Sequence, residues 1–200
     1  MCNSYRITPG KGADKGVRAK VSVAAGKLAS SLVRRSDPGI VVLADERVEI
    51  MRWGFFRSFN PSINNARFDK LEAGMWAKAF RERRCVIPVT AFYEWGPGIG
   101  GHKQAHEFSN PEDDYLWVAG LWEPGGALGP CYSMVTTEAS PVMAAIHNRM
   151  PAVLPADEVP EFLDGGARWE FHPFAGTLVV APCASPLAKP RDADSQQELF

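Results

Sequence analysis

The stretch most informative about the fold is CVIPVTAFYEW, which occupies residues 85–95. It is rich in β-branched and aromatic side chains, which favour extended backbone over helix. Two further runs share this character, YLWVAGLW at residues 115–122 and YSMVTT at residues 132–137. The three runs therefore predict three strands.

Upstream of these runs, Pro38-Gly39 marks a turn before the β-branched run at residues 40–42, and residues 48–53 follow as the partner strand of a hairpin. Helical spacing predicts helices over residues 21–33 and 71–83, and shorter ones over 140–146 and 156–163. Residues 60–65 are predicted to form a loop, and residues 177–181 a last strand. Many strands with few helices predict an α+β fold with a curved, barrel-like, mainly antiparallel sheet and a few short helices.

Composition sets the class of protein. The chain has 200 residues, 46% of them hydrophobic and 22% charged, with a net charge of −1. These values predict a single domain over residues 1–186, followed by a polar tail over residues 187–200. No apolar run reaches the roughly 20 residues of a membrane span, and no apolar signal core follows Met1. We therefore expect a cytoplasmic protein without membrane contact, associated with the nucleoid if it is bacterial. We also expect a monomer.

The four cysteines, Cys2, Cys85, Cys131 and Cys183, are far apart, and none forms a CxxC pair. This spacing argues against a zinc ribbon or a thioredoxin-type motif. The sequence also has no metal-binding cluster and no phosphate-binding glycine loop, so we expect neither a metal nor another cofactor. Cys2 differs from the others because removal of Met1 would place an α-amine and a thiol on adjacent carbons. Their pKa values are near ~8 and ~8.5. Such a 1,2-aminothiol condenses with an aldehyde to an imine, and the thiol then closes a thiazolidine ring.

Three other segments place polar residues within apolar surroundings, and each has a purely structural alternative. Asn65 and Arg67 lie in the segment that follows Trp53-Gly54. Glu94 lies among aromatic residues, where desolvation favours the protonated carboxyl and suits acid–base work, although a surface glutamate on an alternating strand fits as well. His147 follows the helix that starts at Ser140-Pro141, as a proton carrier or a structural histidine. Arg149 either binds phosphate or complements the end of that helix.

Taken together, these segments resemble the SRAP (SOS response-associated peptidase) family of abasic-site DNA–protein crosslinking proteins. The motifs that carry the resemblance follow the family's order and approximate spacing to about residue 183. They are Met1-Cys2, Trp53-Gly54-Phe55, Asn65-Ala66-Arg67, Arg84-Cys85-Val86-Ile87-Pro88, Phe92-Tyr93-Glu94-Trp95, Ala119-Gly120-Leu121-Trp122-Glu123, Thr136-Thr137 and His147-Asn148-Arg149-Met150-Pro151.

The resemblance implies catalytic roles for four residues. Cys2 would crosslink to the aldehyde form of an abasic site after loss of Met1, and thereby shield the lesion. Glu94 would act as acid and base for ring opening and thiol closure. His147 would exchange a proton at the sugar oxygen, and Asn65 would hold the sugar or the crosslink by hydrogen bonds.

It also implies a partner, single-stranded DNA that contains abasic sites, with little sequence preference and no cofactor. Arg67 and Arg149 would bind the flanking phosphates, which position the strand without reading its sequence. Trp53 would stack on bases or wedge between them.

Three positions depart from the family pattern. Asn3 and Ser4 replace a glycine and an arginine, and Asn148 replaces an aspartate. Three other functions stay open at this point. They are a thiol peptidase built from Cys2, His147 and Glu94, a non-catalytic module that binds single-stranded or modified DNA, and an α+β domain whose site has decayed.

Overall fold

The computed structural model describes residues 2–11, 15–125, 128–165 and 168–188. Within them the chain forms fifteen strands and four α-helices. The strands are β1 (Ser4–Arg6), β2 (Leu32–Arg34), β3 (Pro38–Val42), β4 (Val48–Trp53), β5 (Phe55–Arg57), β6 (Asn60–Ile63), β7 (Asn65–Arg67), β8 (Arg84–Val89), β9 (Ala91–Pro97), β10 (Lys103–Ser109), β11 (Leu116–Glu123), β12 (Cys131–Glu138), β13 (Arg149–Pro151), β14 (Val153–Leu154) and β15 (Val179–Cys183). The helices are α1 (Gly16–Ala25), α2 (Ala77–Glu82), α3 (Pro141–Ala144) and α4 (Val159–Asp164).

Five strands close into a barrel. Each of β12, β4, β3, β8 and β11 pairs with the next, and β11 returns to pair with β12. Only the β4–β12 pairing of the ring is parallel. Strands β7, β13 and β14 extend the same sheet at its margins. The predicted α+β fold with a barrel-like, mainly antiparallel sheet is confirmed.

A second, five-stranded antiparallel sheet has the order β15, β10, β9, β1, β2. Residues 85–95 were predicted to form one strand, but they are divided between two strands, and the second of these lies in this sheet. Thr90 separates β8, in the barrel, from β9, in this second sheet. The backbone N–H and the hydroxyl of Thr90 both donate to the Arg6 carbonyl, at 2.8 and 3.0 Å, and hold the break in place.

Two helix predictions were wrong in their extent. The first helix, α1, covers residues 16–25, and part of the segment predicted to be helical forms β2. The predicted helix over residues 71–83 is helical from Ala77, after a 3₁₀ turn at Gly74–Trp76. Gly74 has a φ of 57°, a left-handed conformation that interrupts a right-handed helix.

The shorter predictions come closer. Helices α3 and α4 and strand β15 lie where a helix or strand was expected, with shifted ends. The predicted loop over residues 60–65 instead contains β6 and the start of β7. No helix among the described residues is long and apolar enough to cross a membrane. Met1 and residues 189–200 lie outside the described residues, so the proposed loss of Met1 and most of the predicted tail have no structural counterpart here.

Candidate functional site around Cys2

Cys2 lies two residues before β1, and its side chain is almost completely buried, at 1% exposure. Its thiol donates to the Ser4 carbonyl at 3.1 Å. Its own carbonyl oxygen accepts two hydrogen bonds from side-chain amides, from Asn64 Nδ2 at 3.0 Å and from Asn65 Nδ2 at 2.9 Å. The backbone of the candidate nucleophile is therefore fixed by two neighbouring asparagines.

The two asparagines are themselves positioned by the barrel. Strand β7 pairs in parallel with β12, which places Asn65 beside Met134. The Asn64 carbonyl accepts from Met134 N–H at 3.0 Å and from the Trp53 indole N–H at 2.9 Å. Asn65 was predicted as a site residue, whereas Asn64 was not. The adjacent pair of asparagines is the sequence signal that could have indicated it.

The carboxamide of Asn65 has one unused group. Its Oδ1 is buried and accepts no hydrogen bond from the described residues. A buried polar atom without a partner costs free energy, so such atoms frequently belong to sites where a ligand or water supplies the missing contact. The Asn65 amide thus donates to the Cys2 carbonyl through Nδ2, and its Oδ1 is available as an acceptor.

Glu94 lies on β9, and its side chain is buried at 5% exposure. Strand β9 pairs with β1, so this carboxylate is carried next to the N-terminal strand. Burial, followed by the charge of Glu94, raises the pKa of the Cys2 thiol to about 12, although backbone hydrogen bonds from Ser4 and Tyr93 act in the opposite direction. At neutral pH the thiol is therefore protonated, and a base is needed to activate it.

His147 lies in the loop between α3 and β13 and is partly buried. Its Nδ1 accepts from the Arg149 backbone N–H at 3.0 Å, which fixes the ring. The neighbouring Ile146 packs on Gly96 of β9, where an added Cβ would lie 3.1 Å from Ile146 Cγ2. The contacts thus bring Cys2, Asn65 and Glu94 together, and they place the His147 loop against the strand that carries Glu94.

Arg67 and Arg149 lie on strands that pair with β12, opposite Thr136 and Glu138. Arg67 is exposed and forms a bidentate ion pair with Asp69, at 2.9 and 2.7 Å. Arg149 is partly buried and donates to the carbonyl and hydroxyl oxygens of Thr136. Burial, and then the positive charge of Arg67, lower the pKa of Arg149. The two arginines predicted to bind phosphate are therefore close neighbours.

Trp53, the third predicted DNA contact, lies in the core with no exposed surface. Its ring packs edge-on against Tyr5, with 5.1 Å between centroids, and stacks on Tyr132 at 6.4 Å. A base cannot stack on a ring that has no free face, so in this conformation the predicted role does not fit the position of Trp53. Its indole N–H is instead directed to Asn64.

The described residues contain no group of three or more histidine, cysteine or acidic side chains arranged to hold a metal ion. The site draws polar and charged side chains from both the barrel and the second sheet. It combines a buried cysteine at position 2, a carboxylate that acts electrostatically on its thiol, and a neighbouring pair of arginines.

The family model described as SOS response associated peptidase (SRAP) matches residues 4–185. The chain therefore belongs to the SRAP family.

Curated relatives carry the name abasic site processing protein. HMCES of Xenopus tropicalis is 35% identical over 158 residues, which cover 62% of this chain and 47% of that protein. YoqW of Bacillus subtilis is 28% identical over 133 residues, which cover 60% of this chain and 59% of that protein. The chain thus spans about half the length of the curated relatives it matches.

Solved structures share the fold. An X-ray structure of a protein from Bacteroides thetaiotaomicron superposes with a TM-score of 0.74 at 17% identity, covering 92% of this chain and 93% of the other. A protein from Bordetella bronchiseptica gives 0.69 at 21% identity, with coverages of 92% and 100%. At this level of identity, the likeness concerns the fold alone.

Proposed function

We propose that this protein processes abasic sites in single-stranded DNA by forming a covalent crosslink through Cys2 after removal of Met1. The observation that carries the proposal is the convergence on Cys2 of an amide from Asn65 and the charge of Glu94. The names of the curated relatives support the same substrate class.

The crosslink would form in two stages. The α-amine of Cys2 adds to the aldehyde carbon of the opened sugar, and loss of one water gives an imine. The thiol sulfur then bonds to the imine carbon, and the thiol proton ends on nitrogen, which closes the thiazolidine. Because the pKa of the thiol is about 12, Glu94 would remove this proton and return it to the nitrogen.

The remaining residues would prepare the substrate. His147 would exchange a proton with the ring oxygen of the sugar, so that the closed hemiacetal opens to the aldehyde. Asn65 would present its unused Oδ1 to the sugar or to the new ring. Arg67 and Arg149 would exchange their internal partners for phosphates on either side of the lesion, and so hold the strand without reading its sequence.

A thiol peptidase built from Cys2, His147 and Glu94 is the second candidate. Cysteine nucleophiles react as thiolates, and reactive ones have a lowered pKa. The raised pKa of Cys2 therefore favours chemistry that begins at the amine over chemistry that begins at the sulfur. Non-catalytic DNA binding differs from both because it leaves no adduct.

The experiment that tests the proposal combines intact mass with a denaturing gel. Protein whose mass shows loss of Met1 is mixed with a single-stranded oligonucleotide that carries one abasic site. We expect a band that survives denaturation, and an adduct mass equal to the sum of both molecules minus one water. The same oligonucleotide with an intact base is the control. Absence of an adduct from fully processed protein would refute the proposal.

A further inference from the structure

A continuous series of contacts runs from the barrel core to Cys2. Trp53, at the end of β4, donates its indole N–H to the Asn64 carbonyl at 2.9 Å. The side-chain amide of Asn64 in turn donates to the Cys2 carbonyl at 3.0 Å. All three residues are buried, with exposures of 0%, 7% and 1%.

Trp53 also reaches the N-terminal strand by a second route. Its ring meets Tyr5 edge-on, and Tyr5 lies on β1, three residues after Cys2. The Tyr5 hydroxyl is hydrogen-bonded to that of Tyr132 on β12. The indole is thus enclosed between β1 and the barrel wall, and its N–H is directed at the loop that holds Cys2.

We propose that Trp53 and Asn64 are positioning residues for Cys2, through hydrogen bonds that orient its carbonyl. This inference rests on the proposed function and gives roles to a tryptophan that cannot stack on DNA and to an asparagine outside the set predicted from the sequence. Neither residue needs to touch the substrate, because both act on the backbone of the nucleophile.

The Cys2 carbonyl carbon is bonded directly to the carbon that carries the amine. Two amide donors on its oxygen withdraw electron density from that carbon. An amine beside a more polarised carbonyl binds its proton less tightly, so a larger fraction is neutral and nucleophilic near pH 7. The same two bonds fix rotation about the adjoining backbone bond, so that the amine and thiol keep one arrangement relative to Glu94.

The test compares Asn64→Ala and Trp53→Phe with a matched control, Trp76→Phe. Trp76 is also buried, at 9% exposure, and packs on the Phe55 ring at 5.2 Å. Among the described residues, no hydrogen bond from its indole is seen. Both tryptophan variants lose similar packing, but only Trp53→Phe loses an N–H directed at Asn64.

Two readouts apply to protein prepared with Cys2 as its first residue. The first is the crosslinking rate across pH. A neutral hydrogen bond corresponds to a rate change of about two- to tenfold. We expect Asn64→Ala to slow crosslinking by a factor toward the upper end of this range, and Trp53→Phe by a factor toward the lower end. In both variants the apparent pKa of the pH–rate profile should move upward. The second is the pKa of the Cys2 α-amine measured directly by NMR titration, which requires no DNA.

The expected result is a raised amine pKa in Asn64→Ala and Trp53→Phe and a parent-like value in Trp76→Phe, with unchanged salt dependence of DNA binding in all three. The inference is overturned if both variants titrate like the parent. It is also overturned if Trp53→Phe weakens DNA binding while its amine pKa and rate profile stay unchanged. A parent protein that forms no adduct refutes the proposed function, whereas the amine titration still decides this inference.

Discussion

Two regions lie close together at the same margin of the barrel, the asparagine pair at residues 64 and 65 and the arginine pair. They differ in what holds their side chains. The amides of Asn64 and Asn65 are anchored to Cys2, and Asn64 is also held by Trp53 and β12. Arg67 is exposed and Arg149 is half-buried, and both use their guanidinium groups on internal partners. Under the proposed function, the comparison predicts a rigid centre at Cys2 beside two arginines that exchange their internal partners in order to bind phosphate.

The largest expected effect comes from replacing Cys2 in the rigid region. Cys2→Ser keeps the amine but removes the sulfur that closes the ring. It should form an imine that borohydride traps, and almost no stable adduct without reduction. The measurement is a denaturing gel with and without the reductant. If unreduced adduct were as abundant as in the parent, the thiazolidine would be excluded.

The second-largest effect is expected from replacing the carboxylate of Glu94. Glu94→Gln preserves shape and hydrogen bonding but cannot accept the thiol proton. General acid–base groups contribute about 10²–10⁴-fold, so crosslinking should slow by that order while DNA binding persists. Loss of the nearby negative charge should also lower the pKa of the Cys2 thiol, because Glu94 is one of the causes that raise it.

Rates of adduct formation and alkylation of Cys2 across pH measure the two effects separately. A thermal melt must accompany them, since Glu94 is buried and its replacement could disturb the fold. A variant that melts and binds like the parent and crosslinks at the parent's rate would show that the carboxylate is structural.

The smallest effect is expected from replacing the two arginines. Arg67→Ala and Arg149→Ala should each weaken single-strand binding and reduce its salt dependence, by a slope of about 0.7 for each phosphate that the variant no longer binds. Crosslinking at low salt should persist. Binding titrations at several salt concentrations measure the slope, with Lys27→Ala, an exposed position just after α1, as a control for general loss of charge. Equal slopes in parent and variants would remove both arginines from the DNA interface.

The outline of the fold could be predicted from the sequence because strand-forming runs are local signals. The α+β barrel and the hairpin of β3 and β4 follow from such runs. The break at Thr90 could not be predicted, because β8 and β9 are equally apolar and the break depends on distant Arg6. The extent of the helix before Glu82 also depended on the backbone conformation of Gly74.

For the site, the motifs indicated Cys2, Asn65, Glu94 and His147, and the structure brings the first three together. The stacking role of Trp53 was implied by the family resemblance, and sequence alone gives no sign that this side chain is buried. Its burial depends on Tyr5 and Tyr132, which lie on strands far apart in sequence. Asn64 has no signal of its own beyond its neighbour, since its function depends on the position of the Cys2 carbonyl.

The pairing of β1 with β9 has a consequence for synthesis on the ribosome. Cys2 leaves the ribosome before Asn64, Asn65 and Glu94, which hold its carbonyl or act on its thiol, and Glu94 emerges last among them. At about 5–20 residues per second, the interval between Cys2 and Glu94 is roughly 5–18 s. During that time the Cys2 side chain has no folded structure around it. Folding ends this interval, because the finished sheets bury the side chain.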